Sequence, residues 1–531
     1  MAEPSENSNR QIARAAGLVF AAFVIGNLTG LVRQILVANA FGTGLEIEAF
    51  NAANRVSETL FLLVAGGALS SAFIPTFTSL LTKGERAEAW LLASAIANLI
   101  LVILTLTAGV MAIFAPLVVR HILAPGFAAF PAKEALTIDL LRLMLPSAVI
   151  FGLSGLVMGI LNSHQVFLAP ALAPSMYQIG IIIGALGLSP RLGIMGLGYG
   201  VLIGSTLHFM LQIPALMRLK GKFSPTFGLH LKSVREVGWL MAPRLLGVAV
   251  VQLNFWVNTR LASSMVEGSV TAVVLGFALL LMPQAAIAQS IAVAAMPTFS
   301  SQYALGRISE LRLSLISSLR GALVLSIPAT FGLMILRKPI ISLLYQRGEF
   351  TQYSTSLVAE ALLWYAVGLV GHCLVEILSR VFYAIHDTRT PVLIGVMAMS
   401  LNVALSLGLA KFFSSIGWMP HGGLALANSI ATTLEGFLLL WLVHRRLRGM
   451  NSLHLINGAG RALAAALLMA AVLLWWSSQS TNLPVWIITA GGIGLGGFVY
   501  TLMATLFGLS EVTKGIQLVI GRLKGLVKRG A

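Results

Sequence analysis

The chain has 531 residues, of which 57% are hydrophobic and only 10% are charged, and its mean hydropathy is +0.90. Because ordinary soluble domains carry about 25% charged residues, this composition excludes a soluble enzyme or a nucleic-acid-binding domain and indicates a polytopic membrane protein. The 35 Lys and Arg residues outnumber the 18 Asp and Glu residues, for a formal charge of +17. In a membrane protein such an excess indicates basic cytoplasmic loops or an anionic substrate.

Apolar stretches of spanning length predict an all-α membrane protein with about 14 transmembrane helices. The stretches are too long and too uniformly apolar for the alternating strands of a membrane barrel. The first stretch is also too long for a signal peptide, so we expect it to be retained as a helix. In chain order the predicted spans are 14–38, 47–81, 88–119, 138–161, 167–187, 193–217, 236–263, 268–298, 311–336, 355–385, 390–413, 421–444, 459–477 and 484–508.

The basic residues are distributed unevenly over the predicted loops. With the N-terminus in the cytoplasm, most loop Lys and Arg residues fall in the connections after even-numbered spans and in the C-terminal tail. Because cytoplasmic loops of membrane proteins are enriched in these residues, we predict that both termini are cytoplasmic. Most of the +17 charge then reflects topology rather than substrate.

The chain repeats itself with a spacing of about 222 residues. The segment 72–79 recurs as 294–301, Gly84 is matched by Gly306, and His164 is matched by His386. Six predicted spans separate the equivalents, so the halves share orientation, as in transporters whose lobes rock around a central site. We therefore predict two parallel-repeat six-helix lobes plus two C-terminal helices. The predicted division is an N-lobe (1–218), a basic cytoplasmic linker (219–235), a C-lobe (236–448), and helices 13–14 with a basic tail (449–531).

Several motifs resemble those of one family, the MurJ (MviN-type) lipid II flippases. Residues 345–351 (YQRGEFT) and 380–391 (RVFYAIHDTRTP) look like its second lobe, and 123–127 (LAPGF) matches its first lobe. The resemblance covers essentially the whole chain and implies the fold of the multidrug/oligosaccharidyl-lipid/polysaccharide exporters.

The resemblance also implies a function. It points to a transporter, not an enzyme, that moves the undecaprenyl-pyrophosphate-linked peptidoglycan precursor across the bacterial plasma (inner) membrane. The implied partners are a lipid-linked anionic glycan, membrane lipids and cell-wall synthesis proteins. No cofactor, metal or nucleic acid is expected, and no P-loop sequence for nucleotide hydrolysis is present.

Ionisable residues inside the spans are the candidate substrate-binding residues, because burying one costs about 2.5–3.5 kcal/mol at the centre of a membrane. The resemblance implies that the charges of helices 1 and 2 face a central cavity. Arg260 in helix 7 is a further candidate, although snorkelling to the membrane surface is an equal explanation for it. The predicted substrate-binding residues are Asn27, Arg33, Glu48, Arg55, Glu58 and Arg260.

The chemistry expected of these residues is recognition of a pyrophosphate. Guanidinium groups stay protonated and offer bidentate donors to phosphate oxygens. Arg55 and Glu58 lie three residues apart on one helix face. We therefore hypothesise that the carboxylate holds the arginine when substrate is absent.

Two further sets of residues are assigned other roles. Helix-bending residues that would let helices gate are Gly66, Gly67, Pro243 and Pro283, with close helix packing as the alternative for the glycines. Glu376 and Arg380 lie four residues apart in the favourable order, which predicts a structural ion pair.

Alternative functions remain at this point. The chain has Asn27 where the family usually has an arginine, and other family charges are also absent. It could therefore be a related exporter of another polyprenyl-linked oligosaccharide, or a transport-impaired scaffold. A membrane glycosyltransferase would need larger loops that carry carboxylates.

Overall fold

The computed structural model describes residues 6–64, 68–450, 452–513 and 517. Throughout these ranges the regular structure is helical, and no strand occurs in them. The chain divides into two compact units, one of residues 1–270 with 347–350, the other of residues 271–346 with 351–531.

The helices of the first unit follow one another with short connections, apart from longer segments before α6 and α11. Two breaks are π-helical (Val118–Leu123 and Gly184–Leu188), and Pro125–Ala129 is a 3₁₀ turn. The helices are α1 (Glu6–Phe41), α2 (Leu45–Val64), α3 (Ala68–Thr82), α4 (Arg86–Ile113), α5 (Ala115–Leu117), α6 (Pro131–Ser163), α7 (Leu168–Ile183), α8 (Ser189–Leu192), α9 (Ile194–Met210), α10 (Ile213–Arg218) and α11 (Lys232–Ser263).

The second unit begins within α12 and contains the two helices that follow the repeat. A π-helical turn, Ala285–Gln289, joins its first two helices. The helices are α12 (Ser269–Gln284), α13 (Ser290–Ala304), α14 (Ile308–Tyr345), α15 (Gln352–Val367), α16 (Leu369–Ala384), α17 (Arg389–Ser415), α18 (Pro420–Arg446), α19 (Ser452–Gln479) and α20 (Val485–Leu506).

Eleven helices of the described ranges are long and apolar enough to cross a membrane, or up to 13 if each bent pair is one span. This confirms an all-helical multi-pass protein. With both bent pairs counted, one of the 14 predicted spans, 47–81, is not among those found. It includes residues 65–67, which lie outside the described ranges, and its described parts are α2, which carries four charged residues, and α3.

Each unit has its own apolar core, and the repeat is visible in both. Phe77 in the first unit and its repeat equivalent Phe299 in the second are both fully buried. Phe77 stacks on Phe73 with the ring centroids 5.0 Å apart. The single cysteine, Cys373, is buried in α16. The repeated sequence therefore produces repeated core positions.

The segment Arg347–Phe350 belongs to the first unit, where it packs against the end of α1. The backbone N–H of Glu349 donates to the carbonyl of Asn39 at 3.0 Å. Gly42 and Gly348 have φ angles of 59° and 55°, a left-handed conformation that costs glycine little. A Cβ at Gly348 would also meet the carbonyl of Asn39. The Arg-Gly-Glu-Phe motif is thus a docking segment that requires its glycine.

Candidate functional site

The clearest candidate for anion binding is the Arg55–Glu58 pair of α2. One helical turn separates the residues, and Arg55 Nη1 lies 3.0 Å from Glu58 Oε2. The Arg55 side chain is only 14% exposed, whereas that of Glu58 is 45% exposed. The buried Nε of Arg55 has no hydrogen-bond partner among the described residues. The guanidinium therefore retains donor capacity beyond the bond to its carboxylate.

Helix α11 supports this pair from the side. The guanidinium of Arg55 lies over the ring of Phe255, 5.0 Å from its centroid. Trp256 Nε1 donates to the hydroxyl of Thr59 at 2.8 Å, and that hydroxyl lies 2.7 Å from the carbonyl of Arg55. Because a cation is attracted to the face of an aromatic ring, these contacts hold Arg55 in one position before any ligand arrives.

Arg33 of α1 lies in the same neighbourhood. The hydroxyl of Tyr177 on α7 interacts electrostatically with both Arg33 and Glu58. Arg33 is half-buried. It takes part in none of the ion pairs found in the described ranges. Asn27, six residues earlier on α1, is exposed. Arg33 and Glu58 thus both lie within electrostatic range of the same tyrosine in the first unit.

Helix α1 packs along α7 on the side that carries Gly26 and Gly30. A Cβ at Gly26 would be 3.5 Å from Ser175 Oγ, and one at Gly30 would be 3.8 Å from the amide of Gln178. Both are ordinary van der Waals distances to side chains of α7, so a small side chain would also fit at either position.

Glu48 has a different environment from the other charges of α2. It is almost fully buried and forms an ion pair with Lys133 at the start of α6. Its other oxygen accepts the backbone N–H of Val270 at 2.8 Å. Lys133 lies over the ring of Phe127, 4.1 Å from its centroid. The charge of Glu48 is therefore balanced by protein groups.

The spacing of charged residues in the sequence does not single out Lys133 as the partner of Glu48. Its one sequence signal is its position in the first turn of the helix that begins at Pro131, next to Glu134. Glu134 in turn binds Arg120 at 2.7 Å. Lys133 and Glu134 are adjacent and opposite in charge, but each pairs with a residue distant in sequence. Sequence spacing alone could not predict these partners.

Arg260 contacts backbone instead of charged side chains. At the end of α11 its Nη1 donates to the carbonyl of His121 and lies 3.4 Å from that of Ile122. These carbonyls belong to the end of the π-helical segment Val118–Leu123. Terminal helix carbonyls lack intrahelical partners, and a basic side chain commonly satisfies them. The structure thus places Arg260 as a cap on that segment.

Comparison with known proteins now gives the family. The family profile described as "Lipid II flippase MurJ" matches residues 37–490. The chain belongs to the MurJ lipid II flippase family. This family consists of transporters, not enzymes, and the result confirms the resemblance seen in the motifs.

Individual MurJ proteins are similar along nearly the whole chain. The identity is 29% to the probable lipid II flippase MurJ of Vibrio cholerae, over 94% of this chain and 97% of that protein. The identity is 28% to the lipid II flippase MurJ of Burkholderia cenocepacia, over 85% of this chain and 87% of that protein.

Solved structures agree with this placement. A lipid II flippase MurJ in an inward closed conformation has a TM-score of 0.79 and 26% identity, with 92% of this chain and 98% of that chain covered. An inward-facing multidrug resistance MATE transporter of the MOP superfamily has a TM-score of 0.63 and 15% identity, with 82% of this chain and 98% of that chain covered. The second match establishes a shared fold alone.

The predicted gating positions of this MurJ family member fall in three places. Gly66 and Gly67 lie outside the described residues. The two parts of the α11 helix, Lys232–Ala242 and Gly247–Ser263, differ in direction by 43°, and Pro243 lies in the break. Pro283 lies in α12 just before the π-helical turn Ala285–Gln289. Prolines and π-helical turns are the usual causes of helix bends.

In the second unit, Glu376 and Arg380 lie together on α16. Arg380 Nη2 is 3.0 Å from Glu376 Oε1, and both side chains are partly buried. The arrangement is an i,i+4 pair within one helix. It connects no second element, so its effect is local to α16.

Proposed function

We propose that this MurJ family member flips lipid II, the undecaprenyl-pyrophosphate-linked peptidoglycan precursor, across the bacterial inner membrane. Family membership along nearly the whole chain supports the substrate class. The observation that supports a binding role for Arg55 is its largely buried guanidinium. Its Nη1 lies 3.0 Å from the more exposed carboxylate of Glu58, and its Nε has no hydrogen-bond partner among the described residues. A diphosphate is the kind of ligand that such a guanidinium recognises through paired hydrogen bonds.

The mechanism we propose is an exchange of charge partners. Without substrate, Glu58 neutralises Arg55, so no isolated cation remains in an apolar surrounding, where it would be costly. The diphosphate replaces Glu58 as the partner of Arg55, and Arg33 adds a second positive charge. Release of the diphosphate on the other side of the membrane restores the pair. Two lobes rocking in alternating access would couple this exchange to transport.

Complementation of a strain depleted of its lipid II flippase tests the function. We expect the natural chain to restore growth and Arg55→Gln to abolish rescue at unchanged abundance. Arg55→Lys should rescue only in part, because lysine lacks the bidentate fork. Glu58→Gln should slow flipping, since Arg55 then lacks its resting partner.

The matched control is a second i,i+3 pair of the same residue types. Arg307 Nη1 and Glu310 Oε2 lie 3.7 Å apart, and both side chains are more than half exposed. Arg307→Gln should rescue fully. If the inserted natural chain fails to rescue, the flippase function is contradicted. If the natural chain and Arg55→Gln rescue equally, the role of Arg55 is wrong.

We also propose that both termini are cytoplasmic, which the distribution of loop Lys and Arg supports. Lys222 and Ser414 are exposed residues in connections predicted to lie on opposite sides. Lys222→Cys should react with a membrane-impermeant maleimide only after the cells are permeabilised, whereas Ser414→Cys should react in intact cells. The reverse pattern would contradict the proposed orientation.

A further inference from the structure

The second unit contains a cavity of about 340 Å³ where the ends of α13, α16 and α18 meet the start of α14. Ligand pockets in proteins range from about 300 to 1,000 Å³, so this space could hold the polar part of a lipid. Apolar contacts come from Ile308 and Leu447. The polar lining consists of Tyr303, Arg312, Arg446 and Arg448.

The lining of this cavity is strongly basic. Arg312 has a buried Nε without a hydrogen-bond partner, and it occurs in none of the ion pairs of the described ranges. Arg446 binds Asp387 at 2.8 Å. Arg448 is exposed at the cavity edge. Three guanidinium groups are thus balanced by one carboxylate.

The internal repeat supplies a comparison within the same chain. At the repeat spacing, Arg312 corresponds to Trp90 of the first unit. The Trp90 ring packs against the rings of Phe77 and His164, with centroid distances of 6.1 and 6.2 Å. A Cβ at Gly221 would meet the same indole. An aromatic side chain therefore fills the space that the arginine lines in the second unit.

The cations at the ends of the two equivalent helices are nevertheless retained in both repeats. Lys220 and Arg448 each follow a Leu after the helix and share a left-handed backbone, with φ angles of 51° and 56°. Non-glycine residues adopt this conformation infrequently, which supports their equivalence. The two units thus differ at the residue that fills or opens the cavity, whereas the cation at the helix end is kept; the carboxylate of Asp387 corresponds to Gln165 in the first repeat.

We propose that this cavity binds the phosphate group of a membrane-lipid headgroup. Guanidinium groups match the geometry of phosphate oxygens. The cavity lies where α14 and α18, both long and apolar enough to span a membrane, have their charged ends. Basic pockets between transmembrane helices at this level are suited to anionic headgroups. The site is separate from Arg55 and Glu58 and does not depend on the proposed function.

The test is the thermal stability of the purified full chain in uncharged detergent, because a ligand that binds the folded state raises Tm. Three additives are titrated: phosphatidylglycerol, diacylglycerol without a phosphate, and inorganic phosphate. We expect phosphatidylglycerol alone to raise Tm. If inorganic phosphate has the same effect, the ligand is a free anion, and the lipid assignment is overturned.

Matched variants localise the effect. Arg312→Gln and Arg448→Asn should each weaken the response to phosphatidylglycerol about tenfold, the value of one lost charge-assisted hydrogen bond. Lys220→Asn removes the same charge from the equivalent left-handed position and should leave the response unchanged. Arg312→Trp, which introduces the side chain of the first repeat, should abolish it while Tm without lipid is retained. Equal losses in Lys220→Asn and Arg448→Asn, or a full response in Arg312→Trp, would refute the site.

Discussion

Lys133 and Glu48 form an ion pair that is almost entirely withdrawn from solvent, with side chains only 6% and 2% exposed. The two residues lie 85 positions apart, on α6 and α2. Removing one partner of a buried pair leaves an uncompensated charge, which typically costs about 3–5 kcal/mol. The pair therefore constrains how α2, the helix that carries Arg55 and Glu58, lies against α6.

We expect Lys133→Met alone to destabilise the protein by about 3–5 kcal/mol. The double variant Glu48→Gln with Lys133→Met should recover much of that loss, because no charge remains buried. The free energy of unfolding of the single and the double variant is measured in detergent with increasing denaturant. The exposed Glu310 provides the control, and Glu310→Gln should change stability by less than about 1 kcal/mol. A double variant as unstable as the single one would contradict this account.

A second ionic cluster attaches the C-terminal helices to α14. Arg320 is buried, and its Nε lies 2.8 Å from Glu511 Oε1, while Nη1 contacts His454 at the start of α19. We expect Glu511→Gln to lower Tm and to increase proteolysis of the chain after α20, because this segment loses its attachment. Glu310→Gln, which removes the same charge at an exposed site, should leave the cleavage pattern unchanged.

Asp387, in the connection between α16 and α17, gives a prediction for pH. Partial burial acts to raise its pKa, but hydrogen bonds from the side chain and backbone of Thr390 and the charge of Arg446 outweigh this and lower the pKa below its ordinary value of 3.8. A lowered pKa in the folded state contributes stability that is present above the ordinary value and is lost as the pH falls below it.

The Tm difference between the natural chain and Asp387→Asn should therefore be constant near neutral pH and shrink as the pH falls below 3.8. Arg446→Gln should reduce that difference, since it removes the charge that helps to lower this pKa. A difference that stays the same at low pH would show that the carboxylate charge is not responsible.

The docking segment Arg347–Phe350 gives a prediction about glycine. Gly348→Ala combines a left-handed φ of 55° with a Cβ that meets Asn39. Gly417 is also left-handed, at 78°, but has open space around its Cβ position. Gly417→Ala should lower the free energy of unfolding by about 1–2 kcal/mol, which is the cost of a left-handed backbone for a residue with a Cβ. Gly348→Ala should lower the free energy of unfolding by clearly more, because its Cβ also meets Asn39. Equal losses in the two variants would contradict that steric contact.

Short-range relationships in this protein could be predicted from its sequence. Arg55 meets Glu58, and Glu376 meets Arg380, because residues three and four apart share a helix face. The helical fold followed from the length of the apolar stretches. The family followed from motifs such as Arg-Gly-Glu-Phe.

Long-range relationships could not be predicted in the same way. Nothing in the spacing of Glu48 and Lys133 indicates that they meet, because that contact depends on how α2 packs on α6. The structural role of Arg260 was equally hidden, since its partners are backbone carbonyls that every residue carries. The repeat spacing pairs Trp90 with Arg312, but only the packing around each residue shows that the tryptophan fills a space and the arginine lines one.

The buried Cys373 has a practical consequence for spectroscopy. Because the thiol of Cys373 on α16 is buried, bulky labelling reagents should not reach it. The natural chain should therefore give almost no label signal. One cysteine introduced at an exposed loop could then carry a fluorophore or nitroxide without removal of the native thiol. Pairs of such labels would report interprobe distances directly, with the unsubstituted chain as the blank.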